Sequence, residues 1–521
     1  MSEFKKRILI VGDKSVAKTG FAMYKKNLLK RLHANDNYEV AEYAFAGILP
    51  EKKQVPWKYY STSCINQNED GYAKFQEKPQ LFKNGIWRWD ACVNHFRPHI
   101  VLCLQDIWMA SYILFSSLNR FYKTCCTIPI DSDPQSIDWI QAYSRADYLV
   151  PYTEYAGRIV RENGINHLDV ISIGIDENIF KPINKERCRA ELDLPKDGTI
   201  FGFIGRNQQR KRIPELFRAF KKYLDKTNKL NSYLLIHTTY PEQGGWDIPG
   251  ELLEAQIQDR VYFTYTCLKT GNLICNKFSD IFGYSPFTKG FTALFNCNQN
   301  KVSEKQVNLL YNAMDLYIQC ANCEGFGIPV IEAAACNTKV LSMKHSAMEE
   351  VCLNCGGDLL DMRSNPTCHQ MHSRRGVIDE DKLAEYMVNF KKEKINTRSK
   401  VLEKYTWEKC INSWEKLLDK IEIKDNWDDD KRVCEPEQVS GKVTPIDALD
   451  KITSNLPENL KMEVLKDCIH LIRSSPNPMM PVNQQVGNNI LAKYSAIYNS
   501  IHNNELIRVG DMVLNEQDWQ K

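Results

Sequence analysis

Three observations predict an α/β chain built from two parallel-sheet halves and followed by a helical tail. Short apolar runs alternate with helix-like patterns over about the first 185 residues, and a second series of the same kind begins at Gly198. The 521 residues also exceed what one ordinary core holds.

The first series reads as strands at "RILIVG", "HIVLCLQDIW", "CTIPID" and "ADYLVPYT", with "FAMYKKNLLKRL" as the first helix. The segment "DVISIGIDENIFKPINKE", which carries Gly174 and Pro182, reads as a hinge. The second series places strands at "GTIFGFIGR", "SYLLIHTT", "RVYFTYT", "MDLYIQC" and "NTKVLSM". Ser303 and Gln306 form a capping box, and Val307, Leu310, Tyr311 and Met314 share one helical face behind it. About residues 267–300 the periodicity fails, so an insertion is expected there. "YTWEKCINSWEKLLDKI" reads as a closing helix. The expected division is 1–180, 181–422, a polar linker at 423–445 and a helical appendage at 446–521 that packs or oligomerises the chain. In that appendage Pro457 opens one amphipathic helix, and a second carries Ile490, Leu491, Tyr494, Ile497, Tyr498 and Ile501.

Composition narrows the partners. Apolar residues at 43% and charged residues at 26% match globular averages, so most of the chain should fold. A net charge of +3, from 68 basic and 65 acidic side chains, supplies no general field for holding nucleic acid. No secretory leader and no run of about eighteen apolar residues is apparent, which predicts a cytoplasmic protein. The 18 cysteines are then expected to be reduced core residues. The pairs Cys320/Cys323 and Cys352/Cys355 have the spacing of a four-thiolate zinc site, but the first adjoins the most chemical segment and reads as strand packing.

That segment is "CEGFGIPVIEAAACN", 323–337. Glu324 ends a strand, Gly325 and Gly327 make a turn, and Pro329 opens a helix that carries Glu332. Such a turn offers free backbone N–H groups at a helix start, which suits a phosphate or a sugar hydroxyl. In "IGRNQQRKR", 204–212, Gly205 ends a strand and Arg206 and Lys211 flank the loop after it, a pattern fitted to a diphosphate. Near the N-terminus "GDKSVAKTGFAMY" approaches a phosphate-binding loop with Gly12, Lys18 and Thr19. Ala17 stands where that loop needs its second glycine, so a nucleotide hydrolase is rejected.

The Gly-Arg, four residues, Lys element and the Glu, seven residues, Glu element resemble the signatures of the glycosyl transferases of group 1. "ISIGIDENIFKP", "VSEKQVNLLYNAMDLYIQC" and "YTWEKCINSWEKLL" are similar to that family's hinge, pre-motif helix and strand, and closing helix, over about residues 5–422. The resemblance implies a GT-B fold, with two Rossmann-like domains whose parallel sheets face a cleft, and a retaining transfer of a hexose or pentose from a nucleoside diphosphate sugar. UDP and GDP sugars are the expected donors, and no cofactor is required.

By position, the resemblance assigns Arg206 and Lys211 to the donor diphosphate and Glu324 to the transferred sugar. It gives Glu332 to the ribose hydroxyls, the amides of Gly325, Phe326, Gly327 and Ile328 to sugar and phosphate, and Gly205 and Gly20 to close approach of the donor. The family's His-Asp pair is absent, since Ile130 stands where His would be before Asp131. Asp131, with Gln105, Asp106 and Trp108 at the end of "HIVLCLQDIW", is the expected acceptor side. Asp131-Ser132-Asp133 also matches a metal-binding Asp-x-Asp, but no metal role is expected. The insertion resembles a zinc ribbon of phage-encoded members: Cys267, Gly271 and Cys297 are kept, Thr270 and Asn300 replace ligands, and Cys275 lies nearby, so zinc is not expected. A phage-like chain would work in the host cytoplasm, with a modified DNA base among the candidate acceptors beside glycan, protein and lipid headgroup. The rival expectations are a nucleotide-sugar epimerase, a phosphorylase, or a non-catalytic scaffold of the same fold.

Overall fold

The computed structural model describes residues 4–47, 55–63, 84–229, 231–267, 271–277, 295–296, 302–368, 373–424 and 427. All of these except Ser63 belong to one compact unit. The predicted appendage and the linker beyond residues 423, 424 and 427 lie outside the described residues, as do Thr270, Cys297 and Asn300.

The first sheet comprises β1 (Lys6–Asp13), β2 (Tyr38–Phe45), β3 (Lys58–Ser61), β4 (Ile100–Leu104), β5 (Lys123–Ile128) and β6 (Tyr148–Pro151) in the order β3-β2-β1-β4-β5-β6. Every pairing in it is parallel. This is the doubly wound order, in which the crevice opens at the carboxyl ends where the order reverses, between β1 and β4. Burial explains the continuous apolar strands: all five residues of β4 are buried, as a sheet covered on both faces requires.

The second sheet comprises β7 (Thr199–Ile204), β8 (Ser232–His237), β9 (Val261–Cys267), β10 (Leu273–Lys277), β11 (Phe295–Asn296), β12 (Leu316–Gln319), β13 (Lys339–Met343) and β14 (Asp358–Leu360). Its order is β10-β9-β8-β7-β12-β13-β14, with β11 also on β9. The predicted insertion therefore contributes two antiparallel edge strands, β10 and β11, which its weak periodicity did not disclose. Cys275 is buried in β10, among the aliphatic side chains of the core.

Helix starts follow their caps. Thr19 accepts the amide of Ala22 to open α1 (Gly20–His33), and Ser303 and Gln306 close the predicted capping box on the helix Glu304–Ala313, which ends one residue before Met314. Thr406 caps the closing helix Trp407–Lys420. That helix returns to the first sheet: Trp414 Nε1 donates to Tyr24 Oη at 2.7 Å, and Lys6 Nζ donates to the Leu418 carbonyl at 2.7 Å.

The hinge segment is pinned where it crosses the closing helix. Ile175 N donates to Tyr405 O at 2.8 Å, and a Cβ on Gly174 would lie 2.7 Å from both the Cα and N of Trp407. The obstacle is backbone, which has little room to yield. Gly174→Ala is expected to cost about 1–3 kcal/mol through overpacking, read as a lower urea midpoint with an unchanged slope.

Candidate active site

Seven residues after β7, at the end of a single 3-10 turn, Lys211 is buried at 7% exposure. Its ammonium is paired directly with Glu324, itself 8% exposed, and Arg210 Nη1 reaches the same Glu324 Oε1 at 2.7 Å. Arg210 O also accepts the Asn322 amide at 2.8 Å, so the loop after β7 and the loop after β12 are stitched together. Burial alone would push Glu324 up, but Arg210 and Lys211 outweigh it and hold the carboxyl below the usual range. Burial likewise lowers Lys211, against the pull of Glu324.

The turn after Glu324 is held open. Gly327 sits at φ 95°, a conformation that favours glycine, and is the N-cap of the helix Ile328–Ala335 without supplying a capping side chain. Among the described residues the amides of Gly325, Phe326, Gly327 and Ile328 find no acceptor. Four adjacent unsatisfied N–H groups at a helix start form an anion cradle. Gly325 is needed for close approach, because a Cβ there would meet Pro129 O at 2.8 Å. Ser346 supports the turn from beneath: its hydroxyl accepts the Glu324 amide at 3.2 Å, and the residue is held at φ 56°. That non-glycine left-handed backbone is stored strain beside the site.

The remaining sequence-predicted residues separate into groups. Glu332 accepts from Tyr311 Oη at 2.8 Å rather than joining Glu324. Arg206, more than half exposed, pairs outward with Glu242, whose other oxygen accepts the Asn207 amide at 3.0 Å. Phe326 packs its ring edge-on against Tyr152 and Tyr405, so only its backbone faces the turn. A Cβ on Gly205 would meet the Phe203 ring at 2.8 Å. A Cβ on Gly20 would lie 3.4 Å from Ile328 Cδ1, which brings the glycine turn after β1 against the start of the Glu332 helix.

On the other side, Gln105 Nε2 donates to Asp13 Oδ1 at 3.0 Å, and Trp108 is 47% exposed on the first turn of the helix Ile107–Phe115. Asp131 is held by Arg375 Nη1 at 3.0 Å and by the Ser132 hydroxyl at 2.7 Å, and Cys323 Sγ donates to it at 3.3 Å. Burial raises Asp131, but Arg375 and Ser132 prevail and keep its carboxyl low. Asp106 is pushed up to about 6 by burial and by the charges of Asp131 and Asp13. Among the described residues no group of three or more His, Cys, Asp or Glu is arranged to hold a metal.

Sequence reasoning did not single out Asp13, Ser346, Glu242 or Arg375. Arg210 was visible only as one more charge in "RKR".

Glu332 yields a pH prediction. Burial lifts its pKa from the ordinary 4.5 to about 7. The folded chain thus binds this proton more tightly than the unfolded chain, so the contribution to stability is full below about 4.5 and is lost as pH rises through about 7. Glu332→Gln is expected to raise Tm by roughly 2–4 °C at pH 8. Nucleotide binding should weaken in the same variant, a trade expected of a group kept for function. Differential scanning calorimetry and nucleotide titration of the same sample check both signs.

Comparison with known proteins places this geometry. Residues 299–356, which include Glu324, the open turn and Glu332, match the model of the glycosyl transferases group 1. The D-inositol 3-phosphate glycosyltransferase of Streptomyces scabiei is 24% identical over 346 residues, covering 62% of this chain and 70% of that one. Sucrose-phosphate synthase from Thermosynechococcus elongatus superposes with a TM-score of 0.58 at 16% identity, over 80% of this chain and 99% of that one. Anabaena HepE in complex with UDP and glucose superposes with a TM-score of 0.55 at 13% identity, over 80% of this chain and 100% of that one. The fold is GT-B, with two Rossmann-like sheets. No helix among the described residues is long and apolar enough to cross a membrane.

Proposed function

We propose that this chain is a retaining glycosyltransferase that moves a sugar from a nucleoside diphosphate sugar to an acceptor hydroxyl. Donor and acceptor would occupy a cleft between an N-terminal domain, residues 1–180, and a C-terminal domain, residues 181–422. The observation that carries this reading is the buried Lys211–Glu324 pair, joined by the part-exposed Arg210, beside four amides at Gly325 to Ile328 that find no acceptor among the described residues. Cations and open amides converge where a diphosphate gathers negative charge as it leaves. The UDP and glucose held by the structurally similar HepE favour a uridine nucleotide as donor.

In this reading Lys211 and the turn amides hold the diphosphate, and Arg206 swings from Glu242 to join them. Glu324 accepts from hydroxyls of the transferred sugar, and Glu332 accepts from the ribose. The bond from the anomeric carbon to the phosphate oxygen breaks, and the acceptor oxygen bonds to that carbon on the same face. The acceptor proton passes to the departing phosphate oxygen. No protein nucleophile is required, which agrees with Glu324 being engaged by two cations and Glu332 by Tyr311. Positioning and electrostatics then supply the rate.

The test is a thermal-shift and product-release screen of UDP, GDP and ADP and their common sugars. One nucleotide class should raise Tm by mass action, its sugar should release the diphosphate on adding acceptor, and Arg206→Ala should diminish both. Absence of any shift and any release would contradict the proposal.

A further inference from the structure

The first sheet gathers carboxylates at one end. Asp13 closes β1, Asp106 follows β4 by two residues, and Asp131 follows β5 by three, on three consecutive parallel strands. Strand direction alone puts all three at the carboxyl edge, where a doubly wound sheet receives its ligand. Contact across the strands is direct, because the Gln105 amide donates to Asp13 at 3.0 Å and Asp106 is the next residue in the chain.

Their partners are unequal. Asp131 has a cation in Arg375. Among the described residues Asp13 accepts from two neutral donors, the Gln105 amide at 3.0 Å and the Thr19 hydroxyl at 2.7 Å. The Asp106 carbonyl accepts the Met109 amide at 3.0 Å, but its carboxylate has no hydrogen-bond partner among the described residues, although the residue is the N-cap of the helix Ile107–Phe115 and lies within the field of Arg210. A second, independent observation points to a ligand: Gln105 is 4% exposed, and its amide oxygen is buried without a partner beside the carboxylate that its amide nitrogen holds.

Every unfilled position in this group is an acceptor. Ionised carboxylates and an amide oxygen have lone pairs to offer and no hydrogen to give, so they fit ligand groups that donate. Sugar and polyol hydroxyls donate. A phosphate monoester brings acceptors and like charge, and like charges set against each other in a binding site are strongly disfavoured. The half-exposed Trp108 ring, two residues beyond Asp106, adds an apolar surface for the C–H face of a sugar.

We propose that Asp13, Asp106 and the Gln105 amide oxygen form an acceptor subsite for the hydroxyls of an uncharged sugar or polyol, and that this subsite refuses a phosphorylated acceptor. The inference rests on the glycosyltransferase reading of the cleft.

The full-length chain with its identified donor is tested against three matched pairs: inositol and inositol 3-phosphate, glucose and glucose 6-phosphate, glycerol and glycerol 3-phosphate. In at least one pair the neutral member should have a kcat/KM about tenfold or more above its phosphate, from the charge repulsion alone. Asp106→Asn should narrow that ratio while the donor-induced Tm shift persists. Equal or better use of the phosphorylated members overturns the inference, and so does a ratio unmoved by Asp106→Asn. Transfer to none of the six, with the donor shift intact, also overturns it. A chain with neither donor shift nor diphosphate release instead defeats the glycosyltransferase reading itself.

Discussion

Lys211→Met is expected to lower kcat by about 10²–10³, the usual cost of deleting one preorganised group that meets charge developing in the transition state. Methionine keeps most of the stem's volume, so the change removes the charge rather than the packing. Because the leaving diphosphate gains charge as the glycosidic bond breaks, kcat and kcat/KM should fall together, with KM for the donor changed less. Steady-state release of the diphosphate checks this. A purely structural Lys211, holding the buried Glu324 in place, would show the opposite pattern: a lower Tm with turnover nearly intact in the folded fraction.

Glu324→Gln separates chemistry from binding. The substitution leaves the buried Lys211 and the part-exposed Arg210 without their shared counter-ion. Breaking such a cluster from one side costs about 3–5 kcal/mol, so the variant should melt well below the parent. The freed cations should then hold a nucleoside diphosphate more tightly, while transfer of the sugar falls by about 10²–10³ because the carboxylate no longer meets the sugar hydroxyls. Added nucleotide should restore more stability to this variant than to the parent. The same pair sets an acid limit. A carboxyl whose pKa folding depresses contributes stability above its unfolded value, and the contribution is lost as pH falls through the folded one. The parent should therefore lose stability below about pH 4.5 through this group, and Glu324→Gln should not.

What could be read from the chain follows the range of the forces involved. Strands and helices announced themselves through local periodicity and caps, so Ser303 with Gln306 and the apolar runs of the first sheet appear where expected. Glu324, the glycine turn and Glu332 were legible because they lie in one continuous strand–loop–helix segment, although the strand ends at Gln319 and leaves Glu324 in the loop rather than at the strand's end. Lys211 lies 113 residues from Glu324, yet its loop was legible from Gly205 and the basic run after it. Arg375 was not, because nothing near it in sequence signals its bond to Asp131, 244 residues away. Asp13 looked like part of a failed phosphate loop, and only the strand order reveals that it stands beside Gln105. The left-handed backbone at Ser346 has no sequence signature, since serine there is disfavoured and is held by Glu324 itself. Arg206 was read as a diphosphate contact, and its side chain, more than half exposed, is drawn to Glu242. The strands β10 and β11 were missed because edge strands of a few residues carry too short a pattern.

Isothermal titration of UDP, GDP and ADP into the parent chain, Lys211→Met and Glu332→Gln tests the central reading most directly. One nucleoside diphosphate should bind the parent with one-to-one stoichiometry, and both variants should bind it more weakly, Glu332→Gln without the parent's loss of affinity below about pH 7. Binding of no nucleotide by the folded parent, or equal binding by all three proteins, would contradict the assignment of Lys211, the open turn and Glu332 to a sugar-nucleotide site.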